Sequence, residues 1–115
     1  MTISSLRRAA AIPLLATLAL LGLGLLIGVV SAAEMTVKIA NFTFTPQTLT
    51  VPVGTTVNWI NDDDIPHLVM EKNGKFHSAA LDTGDKYSQV FSTPGKVEYY
   101  CAIHPHMTGE IVVTP

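Results

Sequence analysis

Near the C-terminus, three side chains that bind soft metal ions lie at short and even spacing. Cys101, His104 and Met107 follow the pattern C-x2-H-x2-M and offer a thiolate, an imidazole and a thioether. A short loop at the end of a strand can wrap three such donors around one ion. Thiolate and thioether suit Cu(I), and imidazole is acceptable to both oxidation states of copper. The spacing therefore favours a metal ligand over the usual role of a lone cysteine, a small buried hydrophobe.

A fourth ligand must come from elsewhere, and His67 is placed for that role, just before a predicted strand and after the acidic turn 61–64. Two imidazoles, one thiolate and a weak axial thioether form the blue-copper set. We therefore predict one type 1 copper ion that cycles between Cu(I) and Cu(II). Four protein ligands leave no open position for a substrate, so we expect no enzymatic activity. A dinuclear copper site needs two cysteines, and the chain has one.

The remaining candidate residues have simpler interpretations. His77 and His106 are expected to face solvent. The acidic turn 62–64 is interpreted as solvated, with a docking patch for a basic partner as the second interpretation. Tyr99, two residues before the cysteine, is interpreted as a tyrosine corner. The expected core residues are Trp59, Phe42, Phe44, Phe91 and Tyr99, with Met35 and Met70 as filler.

Apolar and polar residues alternate along most of the chain after residue 34, which is typical of half-buried strands. Turn residues such as Asn-Gly and Pro-Gly separate the alternating segments. The predicted strands are 36–40, 48–53, 56–59, 67–70, 87–92, 96–101 and 110–113. Short strands at this spacing predict an all-β fold, either a two-sheet sandwich or a Greek-key barrel.

Length and charge limit the functional classes. A chain of 115 residues is enough for one domain. Residues 34–115 carry five lysines and nine acidic residues, so their net charge is 5 − 9 = −4. This balance gives no electrostatic reason to expect a nucleic-acid partner.

The first 33 residues have the pattern of a leader segment. Arg7 and Arg8 precede an uncharged apolar run, 9–30, and small residues follow it. This pattern is typical of a secretory signal, although the run is also long enough to span a bilayer. We interpret 1–33 as a signal peptide or a membrane anchor. Either alternative places the domain 34–115 in the periplasm or on the outer face of the membrane.

With these motifs the chain resembles the cupredoxins, most closely the amicyanin/plastocyanin branch, from about residue 35 to residue 113. The matching segments are Val57-Asn58-Trp59-Ile60-Asn61, Pro66-His67, Tyr87-Ser88 with Phe91, Gly95-x-Val97-x-Tyr99-x-Cys101 and Cys101-x2-His104-Pro105-x-Met107-x-Gly109. The resemblance implies a Greek-key β-sandwich with type 1 copper at one end. It assigns the ligand roles to His67, Cys101, His104 and Met107.

The same resemblance implies a one-electron carrier with a donor and an acceptor redox protein as partners, and it makes His104 the port for electrons. We expect a monomer. The alternative function is a periplasmic copper carrier or store that delivers copper to another exported protein. Fast release of copper would favour the carrier, and retention through many redox cycles would favour the electron shuttle.

Three residues depart from the pattern of the family. Leu68 follows the upstream histidine where asparagine is common, and Ala102 follows the cysteine where serine or threonine is common. These two polar side chains usually tie the ligand loops together, so we expect apolar packing to replace them. The third departure is His106, at a position that is often phenylalanine.

Overall fold

The computed structural model describes residues 33–115, and these residues form eight strands. The strands are β1 (Glu34–Ala40), β2 (Thr43–Thr45), β3 (Thr48–Pro52), β4 (Thr55–Asn61), β5 (Val69–Glu71), β6 (Lys86–Phe91), β7 (Gly95–Cys101) and β8 (Thr108–Thr114). The predicted signal or anchor segment lies outside the described residues except for Ala33. Within residues 33–115 no helix is long and apolar enough to cross a membrane.

The strands form two four-stranded sheets with the orders β2-β1-β4-β6 and β3-β8-β7-β5. β1 pairs with β4 and β3 with β8 in parallel, and the other neighbours are antiparallel. The predicted all-β sandwich is therefore confirmed. Seven of the eight strands overlap a predicted one. The exception, β2, has only three residues, which is too short for an alternating pattern to reveal.

Alternating residues of both sheets meet in one core, as the pattern predicts. Along β1, for example, Val37 and Ile39 are fully buried while the residues on either side of Val37 are exposed. Trp59 of β4 is fully buried, and its ring lies edge-on to that of Tyr99 on β7 with the centroids 5.3 Å apart. This aromatic contact joins the two sheets, because β4 and β7 belong to different ones.

Three predicted roles of core residues are wrong. Phe42 is 53 % exposed and Met35 is 43 % exposed, because they lie in the β1–β2 turn and near the start of β1. Tyr99 is not a tyrosine corner, since its hydroxyl has no hydrogen-bond partner among the described residues. Burial raises the pKa of Tyr99 to about 12, so this hydroxyl stays neutral.

Gly109 on β8 makes room for the ring of Tyr99. A Cβ atom at position 109 would overlap the ring carbon Cζ and the hydroxyl oxygen of Tyr99. The buried ring packs between Trp59 and Phe44, so it has little freedom to move away. The lack of a side chain at this position is therefore a packing requirement.

We predict that Gly109→Ala destabilises the fold by about 1–3 kcal/mol, the usual cost of overpacking a core. The measurement is urea unfolding of the copper-free protein. Thr108→Ala is the matched control, because its side chain is exposed and such changes stay within about 0.5 kcal/mol. A Gly109→Ala variant as stable as this control would contradict the packing argument.

Candidate metal centre

The structure brings three of the predicted metal-binding side chains to one point. Cys101 ends β7, His104 lies in the loop that leads to β8, and His67 lies in the connection from β4 to β5. The Sγ atom of Cys101 is 3.7 Å from Nδ1 of His67 and 3.7 Å from Nδ1 of His104. All three donor atoms lie within 4.8 Å of one another.

These separations fit a single ion. A thiolate and an imidazole bound to one divalent ion at ordinary bond lengths, about 120° apart, are separated by about 3.8 Å. Cys101 and His67 are fully buried, so the two donors most remote from solvent face each other inside the protein. Soft sulfur and borderline nitrogen donors favour copper or zinc over calcium or magnesium.

Met107 closes the same loop and is 6 % exposed. The Cys101 N–H donates to the Met107 carbonyl at 2.9 Å, and the Met107 N–H donates to the His104 carbonyl at 2.9 Å. The His104 N–H donates back to the Cys101 carbonyl at 3.2 Å. These three backbone hydrogen bonds hold the C-x2-H-x2-M segment as one compact turn, so the Met107 backbone lies beside those of Cys101 and His104.

The orientation of the His67 ring follows from a carboxylate behind it. Nε2–H of His67 donates to Oδ2 of Asp63 at 2.7 Å, and Nδ1 faces Cys101, so in the neutral ring the nitrogen that faces Cys101 is the one with a lone pair. A carboxylate on the far nitrogen is one of the usual ways in which a protein orients a histidine toward a metal. This role of Asp63 was not predicted, because residues 62–64 were interpreted as a solvated turn. The spacing of four residues between Asp63 and His67 was the available signal.

Burial raises the pKa of Asp63, but hydrogen bonds from the Phe42 N–H, from His67 and from the Asn41 N–H outweigh it and leave the pKa below its usual value. Asp63 therefore stays an ionised acceptor near neutral pH. The interpretation of residues 62–64 as a solvated turn is correct for the exposed flanking residues and wrong for Asp63, whose side chain is 11 % exposed.

The two ligand loops are tied through the backbone. The Ala102 N–H donates to the Leu68 carbonyl at 3.0 Å, and the Leu68 N–H points at the Cys101 sulfur at 3.4 Å. Peptide groups therefore tie the two loops together, and any residue other than proline would supply them at these positions. The N–H group directed at Sγ stabilises negative charge on the thiolate.

His104 is the partly exposed member of the cluster. A cleft of about 450 Å³ adjoins it, and the lining residues are Phe42, Ile103, His104, Pro105, His106 and Met107. His106 and His77 are exposed, as predicted. The metal centre therefore has a buried side at His67 and Cys101, and an outer side at His104 with a largely apolar surround.

An all-β sandwich whose end gathers a thiolate, two imidazoles and a thioether belongs to the class of proteins with a mononuclear type 1 copper centre. A comparison with protein families leads to the same class. Residues 31–114 match the family of copper-binding proteins of the plastocyanin/azurin type. The chain belongs to this family, the cupredoxins, and its cofactor is copper.

Relatives and solved structures agree. The chain is 36 % identical over 89 residues to amicyanin from Paracoccus denitrificans, which covers 73 % of this chain and 68 % of the relative. A novel purple cupredoxin from Nitrosopumilus maritimus superimposes with a TM-score of 0.65 at 37 % identity, covering 70 % of this chain and 99 % of the other. A copper-containing nitrite reductase from Thermus scotoductus superimposes with a TM-score of 0.69 at 30 % identity. This match covers 75 % of this chain but 23 % of the nitrite reductase chain.

We predict that Cys101→Ser abolishes the intense visible band that thiolate-to-Cu(II) charge transfer produces, because a hydroxyl is a hard and much weaker donor. The change is small and buried, so the copper-free variant should keep its circular dichroism spectrum. His77→Ala is the control, since this exposed histidine lies outside the cluster. A Cys101→Ser variant that keeps the band on loading with Cu(II) would contradict the assignment.

Proposed function

We propose that the protein is a one-electron carrier whose copper ligands are His67, Cys101, His104 and Met107. One observation carries the proposal: His67, Cys101 and Met107 are buried, and His104 alone of the four is partly exposed. Electrons therefore have a route to the surface, while water and substrates have no vacant position to occupy. The resemblance to amicyanin supports the same function.

Bound copper supplies a one-electron couple between Cu(II) and Cu(I). Cys101 provides the strong thiolate bond, and the Leu68 N–H stabilises its negative charge. His67, held by Asp63, fixes the buried side in one orientation. Met107 would add a weak thioether donor that tunes the potential of the copper. A cage fixed by hydrogen bonds in this way changes little between the two charge states, which keeps electron exchange fast.

The enzymatic alternative has little support. The nitrite reductase match covers 23 % of that enzyme, so a fold of this kind also occurs as one part of a larger catalyst. In this proposal four protein donors would leave no position for a substrate, and the residues described contain no second cluster of three or more His, Cys, Asp or Glu side chains. We infer that the isolated protein transfers electrons without transforming a substrate.

Partners are expected at the outer side of the site. A donor and an acceptor redox protein would each approach His104 through the apolar cleft beside it. In this proposal the domain acts as a monomer that binds each partner only transiently. Its charge of −4 over residues 34–115 keeps nucleic acid from being a plausible partner.

The location follows from the leader. We propose that residues 1–33 direct export and are then removed or retained as an anchor through residues 9–30. The pattern of two arginines, an uncharged apolar run and small residues supports this. The domain would then act in the periplasm or on the outer face of the membrane.

The competing function, copper delivery, is separated by two rates measured on one sample. We predict that electron self-exchange, followed by NMR line broadening in a mixture of the Cu(I) and Cu(II) forms, is much faster than loss of copper to a chelator such as bicinchoninate. The buried donors must separate before the ion leaves, whereas an electron needs only the exposed edge of His104. Copper loss as fast as self-exchange would identify a carrier of the metal instead.

A further inference from the structure

The turn between β1 and β2 has an unusual backbone. Asn41 and Phe42 both have positive φ angles, 50° and 55°, and within residues 33–115 they are the non-glycine residues that do. The left-handed conformation is tolerated by asparagine and is strained for a bulky residue such as phenylalanine. Two such residues in a row persist only where surrounding contacts hold them.

The contacts that hold this turn come from Asp63. Its Oδ1 accepts the Asn41 N–H at 2.6 Å, and its Oδ2 accepts the Phe42 N–H at 3.0 Å. The same Oδ2 accepts Nε2–H of His67 at 2.7 Å. One carboxylate therefore takes three donors, two from the strained turn and one from the buried histidine of the metal centre.

Asp63 is itself fixed by its own backbone. Its N–H donates to Oδ1 of Asn61 at 2.9 Å, and its carbonyl accepts the Thr83 hydroxyl at 2.5 Å. The Asn61 side chain is fully buried and donates to the Leu81 carbonyl at 2.8 Å. These hydrogen bonds fix the backbone of Asp63 and so hold its carboxylate in place.

The turn places the Phe42 ring against both imidazoles. Its centroid is 5.6 Å from that of His67 and 5.1 Å from that of His104, with interplanar angles of 88° and 86°. These are edge-on contacts of favourable geometry. Phe42 thus packs on the partly exposed imidazole, while Asp63 binds the buried one.

We propose that Asp63 and Phe42 are positioning residues of the metal centre, and that the Asp63 carboxylate sets both imidazoles at once, His67 by a direct hydrogen bond and His104 through the Phe42 turn. The proposal rests on the proposed function in that these two histidines are the ligands. It explains why a large apolar side chain occupies a strained and exposed position: its ring is needed against the outer imidazole.

Replacing Asp63 by asparagine separates this proposal from a purely structural role. An asparagine oxygen turned to His67 still accepts the Phe42 N–H, but its NH2 group then faces the Asn41 N–H, which loses its acceptor. An NH2 group turned to His67 can only donate, so the Phe42 N–H loses its acceptor and the proton of the His67 ring must move to Nδ1, the atom that faces Cys101. Either orientation breaks at least one of the three hydrogen bonds.

The experiment compares Asp63→Asn with Asp64→Asn, a neighbour with an exposed side chain and the same change of charge. In the copper-free protein, 15N NMR of the His67 ring locates its proton, and amide hydrogen exchange reports on Asn41 and Phe42. We expect Asp63→Asn either to move the ring proton or to accelerate exchange at the turn about tenfold or more, because a charge-assisted hydrogen bond is lost. Copper affinity should fall by about 10–100-fold.

The second arm compares Phe42→Ala with Val90→Ala, an apolar side chain of equal exposure on β6. Only Phe42→Ala should change the electron paramagnetic resonance spectrum of the Cu(II) form and the ring NMR signals of His104 in the copper-free protein. Should Asp63→Asn prove too unstable to study, adding Asn41→Gly supports the turn, since glycine adopts positive φ without strain, and leaves the His67 defect to be measured.

The role of Asp63 would be overturned if Asp63→Asn and Asp64→Asn gave the same position of the His67 ring proton, the same amide exchange rates at the turn and the same copper affinity. Phe42→Ala matching Val90→Ala in both readouts would overturn the role of Phe42. The NMR measurements need no copper, so a wild-type protein that shows these couplings but no intense visible band would contradict the proposed function and leave the positioning role standing.

Discussion

The buried contact between Cys101 and His67 is the constraint on which the rest of the structure depends. The cysteine ends β7 in one sheet, and the histidine belongs to a connection that starts from β4 in the other, so the site exists only if the two sheets are held in register. The His67 backbone is fixed by paired hydrogen bonds with Leu81, 3.1 Å and 2.7 Å. Inside the core, the contact of Trp59 with Tyr99 also helps to hold the two sheets together.

The candidate donor residues could be predicted from the sequence, but the hydrogen bonds that surround them could not. Cys101, His104 and Met107 are close in the chain, so spacing alone predicts their convergence. His67 was a weaker prediction, made from its place between an acidic turn and a strand and supported by the family pattern, because spacing does not show that a residue 34 positions away meets the cysteine. The carboxylate of Asp63 was hidden in a run of three acidic residues whose composition is typical of a solvated turn.

Phe42 shows why hydrophobicity alone fails at such a site. A phenylalanine beside an alternating strand predicts a core residue, and the positive φ angle that turns it outward depends on acceptors about twenty residues away in sequence. Leu68 and Ala102 show the converse. Their side chains lack the expected polar groups, but the backbone tie between the two loops does not depend on side-chain identity. Sequence reasoning is strongest for donors and weakest for the hydrogen bonds that orient them.

The four donor side chains differ in burial, and this difference affects release of the ion and transfer of the electron in different ways. With the proposed ligands, release of the ion would require the thiolate of Cys101 and the imidazole of His67 to part. Both side chains are fully buried; the Cys101 sulfur accepts the Leu68 N–H, and the His67 ring is hydrogen-bonded to the Asp63 carboxylate. An electron would need only orbital overlap through His104, which is partly exposed and lines the cleft beside Phe42. In the proposed function, this asymmetry would retain the ion and leave the electron a short path to a partner.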